Sequence, residues 1–241
     1  MRRVRGTIGP MSDSDLRGLD NPFWTCLATR HAHLAQGDSL ARRYLPEISV
    51  LAGVSGSAPA NVAALSSLVD VGDEIVLVGV NIPKLPSSWE KVHNMKLTQM
   101  LRPERTLLPE GDEVATTLGR SDVPEMAALV ELTHPGPFRK RTIGLGTYIG
   151  IRERGRLVAM AGERTWIGDF REVSAICTHP DAQRRGYARS LIGRVVNRML
   201  RAGQTPYLHV DSTNAVAIDV YRRLGFVRRT EFPALFAKRI A

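Results

Sequence analysis

Apolar positions recur along this chain at two spacings, and the boundary between them sets the expected elements. Residues 186–201 have the clearest helical pattern: Ala188, Leu191, Ile192, Val195, Val196, Met199 and Leu200 share one face, with Arg194, Arg198 and Arg201 on the solvent side. Short apolar runs bounded by Gly, Pro or Asn predict strands over residues 48–54, 74–80, 96–101, 113–118, 170–178 and 206–210. A hairpin is expected over residues 148–162 around Arg154-Gly155, with a final hairpin from Phe226 onward. Helices are predicted from Asn21-Pro22 to Leu34, from Asn61 to Val69, from Ser121 or Asp122 to Leu132, and from Asn214 to Leu224. The second half thus reads β-α-α-β-β-β-α-β-α-β. The fold class expected is α/β with a mixed sheet.

The division of the chain follows from these runs. Residues 1–11 read as a flexible lead-in, 12–110 as a smaller α/β unit, and 111–241 as the chemistry-bearing unit, joined by a Pro- and Gly-bounded linker near 103–111. The basic start Met1-Arg2-Arg3-Val4-Arg5 has no apolar core behind it and does not read as a secretory signal. No apolar run approaches the roughly 20 residues that span a bilayer, so no membrane partner is expected. Two cysteines, Cys26 and Cys177, make no disulfide framework or metal spacing, and a reducing cytoplasm is the expected compartment. His31 and His33 diverge on a helix, and no metal is expected.

Charge changes this picture only slightly. The net charge is +9, and residues 111–241 hold 21 Lys+Arg against 13 Asp+Glu, while residues 1–110 are nearly balanced at 12 against 11. No zinc-finger or RNA-binding signature accompanies the excess. A pocket for an anionic cofactor explains it better than nucleic acid, for which steep salt dependence is the test.

The candidate chemistry lies in Gln183-Arg184-Arg185-Gly186-Tyr187-Ala188, where a strand hands over to a helix amino terminus. Unpaired N–H groups and the positive end of a helix dipole meet there, and glycine lets a phosphate approach the backbone. Downstream, Asn214-Ala215-Val216-Ala217-Ile218-Asp219-Val220-Tyr221 leads into Gly225-Phe226. These two motifs, in this order, resemble the GNAT superfamily of acyl-CoA-dependent N-acyltransferases over about residues 112–241, and are most similar to its glycine N-acyltransferase-like branch.

The resemblance implies a fold and a reaction. Strands four and five would splay apart, and acetyl-CoA (coenzyme A as cosubstrate, with no metal) would lie between them against Ile176, Cys177 and Thr178. Cys177 itself alternates toward the core. Gln183, Gly186, Tyr187 and Ala188 would cradle the pyrophosphate, with Arg184 and Arg185 either adding charge or facing solvent. Glu172 is implied as general base, or else is an edge ion-pair residue. Tyr221 is implied as general acid to the departing thiolate, or else is a core aromatic, and Asn214 would cap its helix and meet the cofactor arm. His209, Glu163 and Arg164 are weaker candidates for the acceptor side. The acceptor would be a small-molecule or peptide primary amine attacking directly in a ternary complex, and a homodimer stays open. The alternative function is a non-catalytic acyl-CoA sensor. The first half would be a degenerate GNAT repeat or a distinct accessory unit.

Overall fold

The computed structural model describes residues 13–241; the lead-in expected over residues 1–11 lies outside the described residues. The first half comprises α1 (Asp13–Gly18), α2 (Pro22–Ala28), β1 (Ala35–Gly37), β2 (Ala41–Tyr44), β3 (Leu51–Val54), α3 (Pro59–Ser67), β4 (Glu74–Val78) and β5 (Trp89–Leu101). The second comprises β6 (Ala115–Thr117), α4 (Val123–Thr133), β7 (Tyr148–Glu153), β8 (Arg156–Ile167), β9 (Phe170–Thr178), α5 (Tyr187–Arg201), β10 (Thr205–Asp211), α6 (Ala215–Arg223) and β11 (Val227–Arg239).

All the described strands join one mixed sheet in the order β1-β2-β3-β4-β11-β5-β10-β9-β8-β7-β6. Its two parallel steps, β3 to β4 and β9 to β10, are each bridged by a helix, α3 and α5. The order is nearly a palindrome about its centre. Each half sends its last strand across: β11 pairs with β4, and β5 pairs with β10. β5 and β11 run antiparallel over almost their whole lengths. The sheet therefore continues across residue 110, with β5 seated inside the second half.

Three expectations are corrected here. The terminal hairpin is a single 13-residue strand, β11. Pro233 stands one residue before pairing with β4 begins, so it does not stop the strand, and the partner a hairpin would need is supplied by β5. The helix from Asn21 ends at Ala28, followed by a 3-10 turn over Ala32–Leu34 and strand β1. Between β6 and β7 the second expected helix is only a 3-10 turn, Thr142–Leu145, because Pro135 and Pro137 follow the left-handed cap His134.

α5 buries the predicted stripe of Leu191, Ile192, Val195, Val196 and Met199 against the β7–β10 side of the sheet. At roughly 1.5–3 kcal/mol for each large side chain, this stripe fixes the helix whose first turn frames the groove described below. Two of its arginines do more than face solvent. Arg194 donates to the carbonyls of Gly111 and Glu113, and Arg201 reaches Glu110, so the linker is strapped onto α5.

In the first half, the gap where β3 and β4 part is filled by the chain itself. Asn21 donates to the Val54 carbonyl at 2.7 Å, Val80 N–H donates to the Asp20 carbonyl at 3.0 Å, and Gly53 leaves room for the Trp24 backbone.

Candidate active site

β9 and β10 pair only from Phe170 to Glu172 against Thr205 to Tyr207 and then separate. The cause is local. Ala175 has φ 51, and the register against β8 slips there, with two residues opposing one. This bulge turns the end of β9 away from β10 and opens a groove of about 610 Å³.

The groove collects most of the predicted cofactor residues. Ile176, Cys177, Thr178, Gln183, Arg184, Gly186, Tyr187 and Ala188 line it, and Tyr221 lines it from α6. Arg184 (φ 62) and Gly186 (φ 84) both take left-handed conformations, which curl the turn so that the unpaired N–H groups of the first α5 turn meet the groove. A Cβ on Gly186 would meet no protein atom, so the space above it is open to a ligand. Thr178 Oγ1 is buried without a hydrogen-bond partner. The Cys177 side chain packs beside Met126, Leu129 and Met160, and burial pushes its thiol up to about 11.

Arg185 and Asn214 do not line the groove. Arg185 turns to the β7–β8 hairpin, donating to Glu153 at 2.7 Å and to the Asp181 carbonyl, and Tyr187 also donates its hydroxyl to Glu153. Asn214 caps α6 by accepting from Ala217 N–H at 3.0 Å. The Tyr221 ring packs edge-on to Phe226, and its hydroxyl has no protein partner among the described residues. Burial raises it to about 12, so it holds its proton throughout the neutral range.

Glu172 is not at the mouth. It is fully buried, and its carboxylate accepts from Arg164 (2.9 and 2.5 Å), Thr165 Oγ1 (2.7 Å) and His209 Nδ1 (2.7 Å). Gln99 accepts from Arg229 through Oε1, so its amide nitrogen donates to His209 Nε2, which leaves the His209 proton on Nδ1 toward Glu172. Burial alone would raise the Glu172 carboxyl, but the Arg164 charge and hydrogen bonds, then His209, hold it well below the usual carboxylate range. A carboxylate so saturated is a poor proton acceptor, and the base role expected for it does not fit this geometry. Glu172 is one half of an ion pair with Arg164 that is buried rather than at an edge. Phe23 of α2 lies against both the Arg164 guanidinium and the His209 ring, so the first half roofs this cluster.

Sequence reasoning missed a second, smaller hollow on the other side of the bulge. Ala175, Ser174, Tyr148 and Arg164 form its floor, and residues 135–138 its wall. The only sequence signal for it was the Pro- and Gly-rich break after α4. Glu163 is not part of it and pairs with Arg171 at 2.9 Å.

Comparison with known proteins bears on the family. Residues 148–233 match the family model described as FR47-like protein, a span from β7 into β11 that holds every residue of the groove. A GNAT-family protein from Novosphingobium aromaticivorans is 35% identical, superposes with a TM-score of 0.84, and the match covers 92% of this chain and 98% of that one. The chain belongs to the GNAT family. The ribosomal protein bS18-alanine N-acetyltransferase of Escherichia coli K12 is 27% identical over 128 residues, covering 49% of this chain and 86% of that protein. A GCN5-related N-acetyltransferase from Kribbella flavida shares the fold over 96% of this chain at a TM-score of 0.60 and 14% identity. This GNAT protein is thus an enzyme of the N-acetyltransferase class. Among the described residues no His, Cys, Asp or Glu cluster is placed to hold a metal ion, and no helix is long and apolar enough to cross a membrane.

Proposed function

We propose that this GNAT enzyme transfers the acetyl group of acetyl-CoA to a primary amine by direct attack within a ternary complex. One observation carries the reading: the strand gap, the glycine turn and the Tyr221 hydroxyl all open onto a single groove. The α5 first turn would take the pyrophosphate, and the unpaired Thr178 Oγ1 and the end of β9 would meet the pantetheine arm. The amine nitrogen adds to the thioester carbonyl carbon, the C–N bond forms and the C–S bond breaks. The thiolate takes the Tyr221 proton, and the amine's lost proton leaves to water, which reprotonates Tyr221. Glu172 acts as a positioning group that fixes Arg164, not as the proton acceptor.

The acceptor named for the Escherichia coli relative, an alanine amine of a ribosomal protein, supports an amine of amino-acid type. Placement in the glycine N-acyltransferase-like branch belongs to this proposal and rests on the two motifs. Residues 12–110 are read as a GNAT-like repeat that has lost its cofactor turn, supported by the near-palindromic strand order and by the self-filled gap between β3 and β4. Calorimetric titration with acetyl-CoA, followed by thiol release across an amine panel, tests the main reading. Failure of acetyl-CoA to bind overturns it.

A further inference from the structure

We infer that Asp211, the last residue of β10, receives the acceptor as an alkylammonium at the lip of the β9–β10 gap, on the sheet face away from the cofactor groove. This rests on the N-acetyltransferase reading above and names the residue that selects its acceptor. Alternation along β10 places the side chain. Leu208 and Val210 belong to the core cluster under α5 that also holds Tyr221 and meets Ile176. Tyr207 and His209 point the other way, to Thr165 and Glu172. Asp211 continues their row, one residue of backbone from Val210. β9 leaves β10 after the pair Glu172 and Tyr207, whereas β5 stays paired through Asp211 and Leu97. Ser212 N–H then donates to the Lys96 carbonyl at 2.9 Å. Asp211 thus stands where β9 has moved off, on backbone that β5 holds in place.

The state of the carboxylate decides what it takes. β8, β9 and β10 carry one carboxylate each: Glu163, Glu172 and Asp211. Glu163 is paired with Arg171 and Glu172 with Arg164, while no Arg, Lys or His lies within ion-pair distance of Asp211 among the described residues. In a chain of net charge +9, that unpaired carboxylate is the local group able to attract a cation to the gap. Its Oδ1 accepts from the Thr213 N–H and from Thr213 Oγ1, both at 2.8 Å, which fixes the side chain. Its Oδ2 has no hydrogen-bond partner among the described residues. Asp211 is half-buried, so a cation meeting it is screened less than at an open surface. Leu97, directly across the strand pair, and Met95 beyond it are half-buried apolar side chains on one face of β5. An ammonium on Oδ2 with its methylenes against Leu97 and Met95 matches this lining. The bound cation gives a proton to water before its nitrogen attacks, as in the step above.

The test compares two acceptors of similar size on the intact protein: ethylamine, a cation at neutral pH, and trifluoroethylamine, which is neutral there. Thiol release and product mass are the readouts. Asp211→Asn keeps an oxygen for Thr213 and removes the charge, so its melting temperature should stay within about 2 °C of the parent. It should lower the ratio of kcat/KM for ethylamine to that for trifluoroethylamine by roughly tenfold or more, the scale of one charge-assisted hydrogen bond. The loss should fall on KM for ethylamine rather than on kcat. A second arm needs no variant: raising sodium chloride from about 0.05 to 0.5 M should lower kcat/KM of the parent enzyme several-fold more for ethylamine than for trifluoroethylamine. A folded variant with an unchanged ratio, an equal loss for both amines, or one salt response shared by both overturns the inference. Each of those results leaves the acetyltransferase reading in place, whereas failure to bind acetyl-CoA removes both.

Discussion

Replacing Glu172 with Gln separates a structural ion pair from a catalytic base. The substitution keeps the shape of the side chain and removes its charge, leaving the Arg164 guanidinium buried beside a neutral amide. Both side chains are well buried, at 0% exposure for Glu172 and 14% for Arg164. Removing one partner of such a pair costs about 3–5 kcal/mol. Each kcal/mol shifts the melting temperature by about 2–4 °C in a chain of this size, so a fall of roughly 6–20 °C is expected. The sign with pH is definite. The folded carboxyl sits below its unfolded value, so its stabilisation is complete above about pH 5 and is lost as pH falls through the folded value. Melting curves of both proteins should therefore converge as the solution is acidified. Below the new melting temperature the variant should keep the ascending limb of its pH–rate profile. A variant that melts within 2 °C of the parent yet loses that limb would show Glu172 to be the base and refute the ion-pair reading.

Tyr221→Phe should lower kcat by about 100-fold or more, and the parent enzyme should show no falling limb below about pH 11, because burial holds the Tyr221 proton to about 12; a pH–rate series checks both. Gly186→Ala forces a side chain into a φ of 84 and into the open groove, so KM for acetyl-CoA should rise at least about tenfold, with a stability cost of about 1–2 kcal/mol by urea unfolding. Residues 111–241 expressed alone lack β5, the common partner of β10 and β11, and should give no cooperative monomeric melt.

The sequence made some elements legible and hid others for physical reasons. α5 was readable because Leu191, Ile192, Val195 and Met199 repeat at helical spacing, and the Gln183–Ala188 turn because each of its residue types answers a local backbone demand. β2 was not readable. Its Ala-Arg-Arg-Tyr run looks like a polar loop, yet Arg43 is 3% exposed, held by Asp73 and the Leu68 carbonyl. The burial of Glu172 was also invisible, since spacing within β9 says nothing of Phe23 arriving from α2 or of His209 from β10. Arg194 and Arg201 misled for the same reason: a helix pattern marks a face as outward but not what chain lies across it.

The exchange of β5 and β11 links these observations. Were each half to keep its own last strand, the sheet would fall into two units, and nothing in the first would bear on the groove. Crossing the strands puts Gln99 of β5 against His209, which orients the imidazole that donates to Glu172, which in turn fixes the Arg164 fork. The chain of hydrogen bonds runs from a residue of the first half, through β10 and β9, to the hollow beside the bulge. A half with no cofactor turn of its own thus supplies both the roof and the orienting contact of the buried Glu172 cluster, which is a physical reason for it to stay fused to the half that carries the groove.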